Sequence, residues 1–184
     1  MESLIAEGLI EGVLDLTTTE LADELCGGFL SAGPERLTAA GKAGVPQLVS
    51  VGATDMVNFY APETVPAKFQ GRKFHAHNPV VTLMRTTPEE NARIGEDLGR
   101  KCARAKGPTA ILLPRRGVSA IDRAGQPFDD PAARAALFEA IRRTAGGIEV
   151  REVDLHLNDP EFADQAAGML LGLMKQAKKE RGRL

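Results

Sequence analysis

Short apolar runs alternate along the chain with longer segments whose apolar residues recur every three or four positions. The runs Gly12–Leu16, Gln47–Val51, Thr109–Leu113 and Ile148–Leu155 have the length and composition of buried parallel strands. Alternation of such strands with helices is typical of a parallel sheet with helices on both faces. The pattern predicts one α/β domain over 1–184, a Rossmann-like or flavodoxin-like three-layer domain with a mostly parallel sheet.

The longer segments predict helices over 1–10, 35–43, 88–105, 131–144 and 160–178. Three of these helices begin with a capping residue followed by proline, at Thr87, Asp130 and Asp159, and Glu90 is placed to complete a capping box with Thr87. Gly95 and Gly99 form a line on the third helix along which another helix can pack closely. The stretches 52–85 and 114–130 are predicted to be irregular.

The order of elements at the start of the chain is unusual. A helix over 1–10, with Leu4, Ile5 and Leu9 on one face, precedes the first strand, although a right-handed crossover needs a strand before its helix. We therefore expect the chain to be the C-terminal half of a two-domain protein. The basic segment 175–184 is expected to be a frayed tail.

Composition excludes several classes of protein. The 23 Lys and Arg residues nearly balance 25 Asp and Glu residues, giving a net charge of −2, so no general attraction for nucleic acid is expected. No apolar run is long enough to span a membrane, and no signal peptide is recognisable. Cys26 and Cys102 are predicted to be buried thiols in a reducing compartment, which predicts a cytoplasmic protein.

The carboxyl ends of parallel strands meet at one edge of a sheet, where ligands bind in such folds. Thr17, Thr18, Thr19 and Glu20 follow the first strand directly and supply three hydroxyls and a carboxylate for a polar ligand. An alternative, compatible interpretation is that a threonine caps a short helix and Glu20 completes the cap.

Arginines follow two further predicted strand ends. Arg85 and Thr86 precede a helix N-terminus, which favours a phosphate or carboxylate, although Arg85 could instead pair with Asp55 or another acid of the loops. Arg115 and Arg116 are equally suited to an anion or to solvent.

The three histidines, His75, His77 and His156, all lie in the predicted loops. A His-x-His spacing alone is a weak metal signal, and no metal site is predicted; hydrogen bonding or acid–base chemistry is the more common use. Neither a phosphate-binding P-loop motif nor a G-x-S-x-G motif is present in the sequence.

Three segments together resemble a known family: Gly12–Glu20, His77–Thr87 and His156–Pro160. They are similar to the C-terminal half of uncharacterised protein family 0261, bacterial, fungal and plant proteins related to the ATP-binding domain of a tomato mosaic virus resistance protein. The resemblance implies two Rossmann-like halves and binding of ATP or another nucleotide, with the N-terminal half supplying further contacts. The matched ligand-site positions are Asp15, Thr17, Thr18, Thr19, Glu20, His77, Asn78, Arg85, Thr86 and Asn158.

Two hypotheses follow. In the first, the chain is a ligand-binding half whose cleft receives an anionic small molecule or nucleotide. Arg85 would hold the anion, Thr17–Thr19 and Asn78 would orient the ligand, and His77 or Glu20 would transfer a proton if a reaction occurs. In the second, the same loops serve a non-catalytic regulatory module that contacts a protein partner or forms a homodimer.

Overall fold

A computed structural model describes residues 2–182, apart from the side chains of Glu2 and Arg181. The helices and strands in chain order are α1 (Glu2–Ala6), β1 (Val13–Thr17), α2 (Glu20–Cys26), α3 (Ala39–Ala43), β2 (Gln47–Gly52), β3 (Met56–Phe59), β4 (Phe74–Asn78), β5 (Val81–Arg85), α4 (Pro88–Ala103), β6 (Thr109–Pro114), α5 (Pro131–Thr144), β7 (Glu149–Val153) and α6 (Pro160–Arg181). Two 3₁₀ turns, Pro62–Thr64 and Ala67–Phe69, lie between β3 and β4.

The four strands predicted from the apolar runs form one parallel sheet in the order β1-β2-β6-β7. All six residues of β2 are buried, as expected of a central strand covered on both faces. The edge strand β1 has buried residues at Val13 and Asp15 with an exposed residue between them, and β7 has exposed and half-buried residues only. The predicted α/β class with a parallel sheet is confirmed.

Helices cover both faces of the parallel sheet and so complete three layers. Leu21 of α2, Leu98 of α4 and Leu137 of α5 pack with Val49 and Ile111 of the sheet on one face. On the other face, α6 packs Phe162 and Ala166 against Leu48, Ala110 and Leu112. Both cysteines are free and buried in the first of these cores, as predicted.

The glycines of α4 allow its close contact with α5. A Cβ atom at Gly95 would lie 2.5 Å from the carbonyl oxygen of Leu137, and one at Gly99 would lie 2.2 Å from the Thr144 hydroxyl. Both distances are well inside van der Waals contact, so only glycine fits unless the helices move apart. The line of small residues predicted from the sequence is therefore the packing seam.

The stretch 52–85, predicted to be irregular, contains a second sheet. Strands β3, β5 and β4 form an antiparallel sheet in that order, and β4 and β5 are joined by the two-residue turn at Pro79 and Val80. The prediction fails because these strands are short and are rich in His, Asn, Thr and Arg, with few buried apolar positions on β4. The loop 114–130 is irregular, as predicted.

Three predicted helix boundaries need correction. α1 ends at Ala6, and of its predicted apolar face only Ile5 is buried. α3 begins at Ala39 rather than at Glu35, because Leu37 adopts a positive φ of 77°. α6 continues through Arg181 where a frayed tail was expected from 175, since Gln176 donates to Glu180 one turn later and lysines near a helix C-terminus are favourable. No helix between residues 2 and 182 is long and apolar enough to cross a membrane.

Two of the three predicted helix caps are confirmed. Thr87 and Glu90 form a reciprocal capping box, and the Asp130 side chain accepts from the amide of Ala133. Asp159 occupies the cap position of α6, but its carboxylate accepts from the His156 amide and from Arg123 instead. The Asp159 side chain is thus used to hold the loop before α6 and does not cap the helix.

We expect Gly95→Ala to lower the free energy of unfolding by about 1–3 kcal/mol, because the new methyl group overlaps a backbone carbonyl that cannot rotate away. The matched control is Gly168→Ala in α6, where a Cβ atom meets nothing within 4 Å and the change should be neutral or stabilise by ~0.5–1 kcal/mol. Urea unfolding followed by circular dichroism measures both. Equal effects would contradict the close α4–α5 seam.

Candidate functional site

Arg85 lies in a buried network behind the carboxyl edge of the parallel sheet, and it is only 5% exposed. Its Nε donates to the carbonyl of Phe128 at 2.8 Å, and its Nη1 donates to the carbonyl of Asp55 at 3.2 Å and to the Thr86 hydroxyl at 2.9 Å. Nη2 pairs with Asp122 at 3.3 Å. One guanidinium group thus joins the ends of β2 and β5 to the loop 114–130.

Asp122 is fully buried and is the acidic centre of this network. It pairs with Arg134 of α5 at 2.8 Å as well as with Arg85, and it accepts from the amide of Val118 at 3.0 Å. Burial raises the pKa of Asp122, while the amide and the two arginines act in the opposite direction.

Asp55 is the second buried acid. One of its oxygens, Oδ2, accepts from the Ser119 hydroxyl at 2.8 Å, and Oδ1 has no hydrogen-bond partner among residues 2–182. Burial, together with the nearby charge of Asp122, raises the pKa of Asp55 to about 7. The group therefore titrates near neutral pH inside the protein.

Thr86, predicted to bind ligand together with Arg85, belongs to the same buried network. Its hydroxyl donates to the Thr54 carbonyl at 3.0 Å and accepts from Asn91 at 2.7 Å as well as from Arg85. Both residues are thus used to hold loops together, which corresponds to the alternative in which Arg85 pairs with an acid of the loops.

A cavity of about 450 Å³ lies beside β1 and has the size of a small-molecule site. Its polar lining includes Asp15, Glu20 and Arg36, while Ile5, Val13 and Leu37 are among its apolar walls. The structure therefore brings together two of the residues predicted from the sequence, Asp15 of β1 and Glu20 of α2.

Arg36 connects these two acids and was missed by the sequence prediction. Its two terminal nitrogens bind both oxygens of Asp15, at 2.5 and 2.7 Å, and its Nε lies 3.5 Å from Oε2 of Glu20. That Oε2 atom is buried without a hydrogen bond to the described residues. The three side chains carry one net negative charge, and Oε2 of Glu20 is covered by protein atoms beside Arg36.

The threonines after β1 divide between the surface and the interior. Thr17 is exposed, and its carbonyl accepts from Arg36 at 3.3 Å. Thr18 is fully buried and donates to the Ser50 carbonyl at 3.0 Å. Thr19 occupies the N-cap position of α2, but its side chain makes no capping hydrogen bond, and its hydroxyl accepts a hydrogen bond from Asn58 instead. The interpretation of this segment as a side-chain cap is therefore wrong.

His77 and Asn78 lie on β4 at the hairpin of the second sheet, and both are exposed. Only β3 of that sheet contacts α2, through bonds from Asn58 to the fully buried Asp23 at 2.8 and 2.9 Å. Since β5 separates β4 from β3, His77 is about 10 Å from that contact and is not brought beside Glu20.

Asn158, the last predicted residue, is exposed in the loop after β7. The backbone N–H of Asn158 donates to Nδ1 of the buried His156 at 3.0 Å. The proton of this imidazole is therefore on Nε2, which donates to the Ser119 carbonyl at 2.9 Å. His156 thereby anchors the β7 loop to the loop that follows β6.

Arg115 and Arg116 stand on the same carboxyl edge and have surroundings opposite to those of Arg85. Both are more than half exposed and pair with the equally exposed Asp154, Arg116 at 2.8 Å and Arg115 at 3.7 Å. An exposed pair of this kind contributes at most ~1 kcal/mol, so an anion can displace Asp154 at small cost.

The edge therefore has a rigid base and an accessible top. Buried bonds hold the loops after β2, β5, β6 and β7, while carboxylates and arginines that can reach a ligand lie in the β1 cavity and above β6.

The family model described as the C-terminal domain of an uncharacterised protein family (UPF0261) matches residues 1–174. The chain belongs to this family.

Proteins that are similar in sequence to this chain support the assignment to the family. A UPF0261 protein of Rhizobium meliloti is 52% identical over 169 residues, which cover 90% of this chain and 42% of the relative. A UPF0261 protein of Clostridium tetani is 48% identical over 178 residues, with coverages of 96% and 44%. The ToMV resistance protein Tm-1(GCR237) of Solanum lycopersicum is 39% identical over 181 residues, with coverages of 97% and 24%. The chain spans less than half the length of these relatives.

Replacement of Asp55 by asparagine should remove one component of the pH dependence of stability. The folded-state pKa of about 7 exceeds the ordinary value of 3.8, so protonated Asp55 stabilises the fold at low pH, and this stabilisation is lost as the pH rises from about 4 through 7. The Tm of Asp55→Asn minus the Tm of the wild type should therefore increase between pH 4.5 and 7.5. The increase should be about 2–4 °C for each kcal/mol of unfolding free energy that the wild type loses over this range. Differential scanning calorimetry across this range measures the change.

Asp129→Asn is the control for that experiment. The Gly125 amide, together with Arg134, lowers the pKa of Asp129, so this carboxylate stabilises the fold above its unfolded pKa and the effect is lost only as the pH falls below that range. Its Tm difference from the wild type should stay constant from pH 5 to 7.5. The same constancy for Asp55→Asn would show that Asp55 is ionised throughout.

Proposed function

We propose that the chain is the ligand-binding C-terminal domain of a two-domain protein, and that it binds a hydroxyl-bearing anionic small molecule, such as a nucleotide. The observation that carries the proposal is the cavity beside β1, in which Asp15, Glu20 and Arg36 converge. Glu20 lies beyond the carboxyl end of β1, where ligands bind in open α/β sheets, and from there the cavity extends along β1 to Val13 and Gln47 at the amino ends of β1 and β2.

The charges of the cavity select the part of the ligand that it receives. The net negative charge of two carboxylates and one guanidinium group disfavours a bare phosphate, while carboxylate oxygens accept hydrogen bonds from hydroxyl or amino groups. An acidic side chain after a strand accepts hydrogen bonds from ribose hydroxyls in the same manner in dinucleotide-binding domains. Glu20 fits this role better than Asp15, because Glu20 is paired less closely with Arg36.

The anionic part of the ligand is assigned to the exposed arginines rather than to Arg85. Arg85 is surrounded by protein acceptors, whereas Arg116 exchanges only an exposed partner, Asp154, for the ligand. Thr17 is exposed on the same edge and can donate to the ligand. The domain that precedes the matched region in the relatives would supply the opposite wall of the cleft.

Isothermal titration with adenosine, AMP, ATP and inorganic phosphate tests the proposal, with this chain alone and with the chain joined to such a preceding domain. We expect a nucleoside or nucleotide to bind and Glu20→Gln to weaken the binding at least about tenfold, the effect of losing one charged hydrogen bond. Arg116→Ala should weaken binding of AMP and ATP but leave adenosine unchanged.

Glu24→Gln is the matched control, because Glu24 is an exposed carboxylate on the same helix outside the cavity. Its titration curves should superimpose on those of the wild type. If no ligand binds in either form, or if Glu20→Gln and Glu24→Gln behave alike, the site is not the β1 cavity.

A further inference from the structure

The structure exposes four large apolar side chains along α1, β1 and the near flank of α6. Leu4, Leu9, Leu14 and Leu171 are 44%, 65%, 38% and 56% exposed. We call this surface the β1 face.

Contacts show that these elements form one continuous surface. The amide of Leu9 donates to the carbonyl of Leu4 at 3.0 Å, and Glu11 pairs with Lys178 of α6 at 3.6 Å. At Gly12 the backbone passes so close to α6 that a Cβ atom would lie 2.8 Å from Sδ of Met174. Leu171 lies one turn before Met174, which places it on the flank of α6 that faces Leu14.

The opposite flank of α6 has a different composition. Its shallow groove along β7 is lined by the polar side chains of Glu149, Arg151, Gln165 and Gln176 and by apolar residues that include Ala110, Met169 and Leu173. The two edges thus differ in degree, because polar side chains accompany the apolar residues at β7, whereas large leucine side chains are exposed at β1.

The strand β1 also ends the sheet. It pairs with β2 on one side, and residues 2–182 place no strand on its other side. An unpaired edge strand beside exposed leucines is a surface that natural proteins normally cover. The cavity of the proposed ligand site lies against the other side of the same strand.

We infer that the β1 face is the docking surface for the domain that precedes the matched region in the relatives. More than half of the Rhizobium meliloti relative lies outside its match, and the family model names the matched part the C-terminal domain. Leu4 of α1 and Leu9, which follows α1, are part of the face and lie near the start of the matched region. A domain that precedes this region is therefore connected to it on the side of the β1 face.

The test compares this chain alone with a two-domain protein in which it follows the N-terminal domain of the Rhizobium meliloti relative. Leu14→Lys should lower the Tm of the chain alone only slightly, because Leu14 is already 38% exposed. In the two-domain protein it should lower the Tm of this domain by at least about 3 °C, since a charge is then buried in an interface. Hydrogen exchange of the Leu14 amide in the wild type should be at least about tenfold slower in the two-domain protein.

Val80→Lys is the control, since Val80 is 62% exposed at the hairpin tip of the second sheet. It should change neither protein. Equal effects of Leu14→Lys in both proteins, or protection of the hairpin instead of β1, would overturn the inference. A chain that is dimeric alone and becomes monomeric with Leu14→Lys would assign the face to a second copy. No ligand is present in this test, so its outcome is independent of the proposed binding site.

Discussion

The positions of the loops after β2 and β6 depend on the buried ion pair between Arg85 and Asp122. A buried charge is tolerated only when it is paired and its hydrogen-bonding capacity is used, and removal of one partner costs roughly 3–5 kcal/mol. Arg85 meets this condition with acceptors from two other segments of the chain, and Arg134 of α5 adds a third segment through Asp122. The geometry of these loops therefore follows from electrostatics together with the burial of Phe128.

The arginines of this edge illustrate how burial decides the use of a charge. Arg85 is enclosed and structural, Arg36 is partly enclosed and holds two acids of the cavity, and Arg116 is exposed and weakly paired. A ligand has to be recognised by groups whose present partners are easily exchanged. The increase in side-chain exposure from Arg85 to Arg116 thus distinguishes the arginine that holds the structure of the site from the arginine that can bind a ligand.

The sequence predicted the elements with strong periodicity and failed where local geometry is set by tertiary contacts. The parallel strands, the α4–α5 seam and the capping box of Thr87 follow from patterns that need no knowledge of distant residues. The second sheet was missed because β4, with its sequence FHAHN, has almost no apolar face to reveal its period.

The candidate site was predicted in part for the same reason. Glu20 was identified because it follows a strand directly and Asp15 because its segment resembles the family, whereas Arg36 reaches both from a loop with a positive φ at Leu37. Arg85 was predicted either to hold an anion or to pair with an acid of the loops, and a sequence cannot decide between the two when the acidic partner lies 37 residues away.

The loop 114–130 has no helix or strand, and such loops usually accept insertions or new chain ends. Here Asp122 and Ser119 are buried within it, and the carbonyl of Phe128 receives Arg85. A cut or insertion within 118–122 or next to Phe128 would open this buried charged network to water, whereas the tip of the loop at 123–127 is exposed. Chain breaks are better placed at the turn of Pro79 and Val80, where the hairpin ends in solvent. In this domain a tight turn between two strands therefore tolerates a chain break better than the buried parts of a long irregular loop.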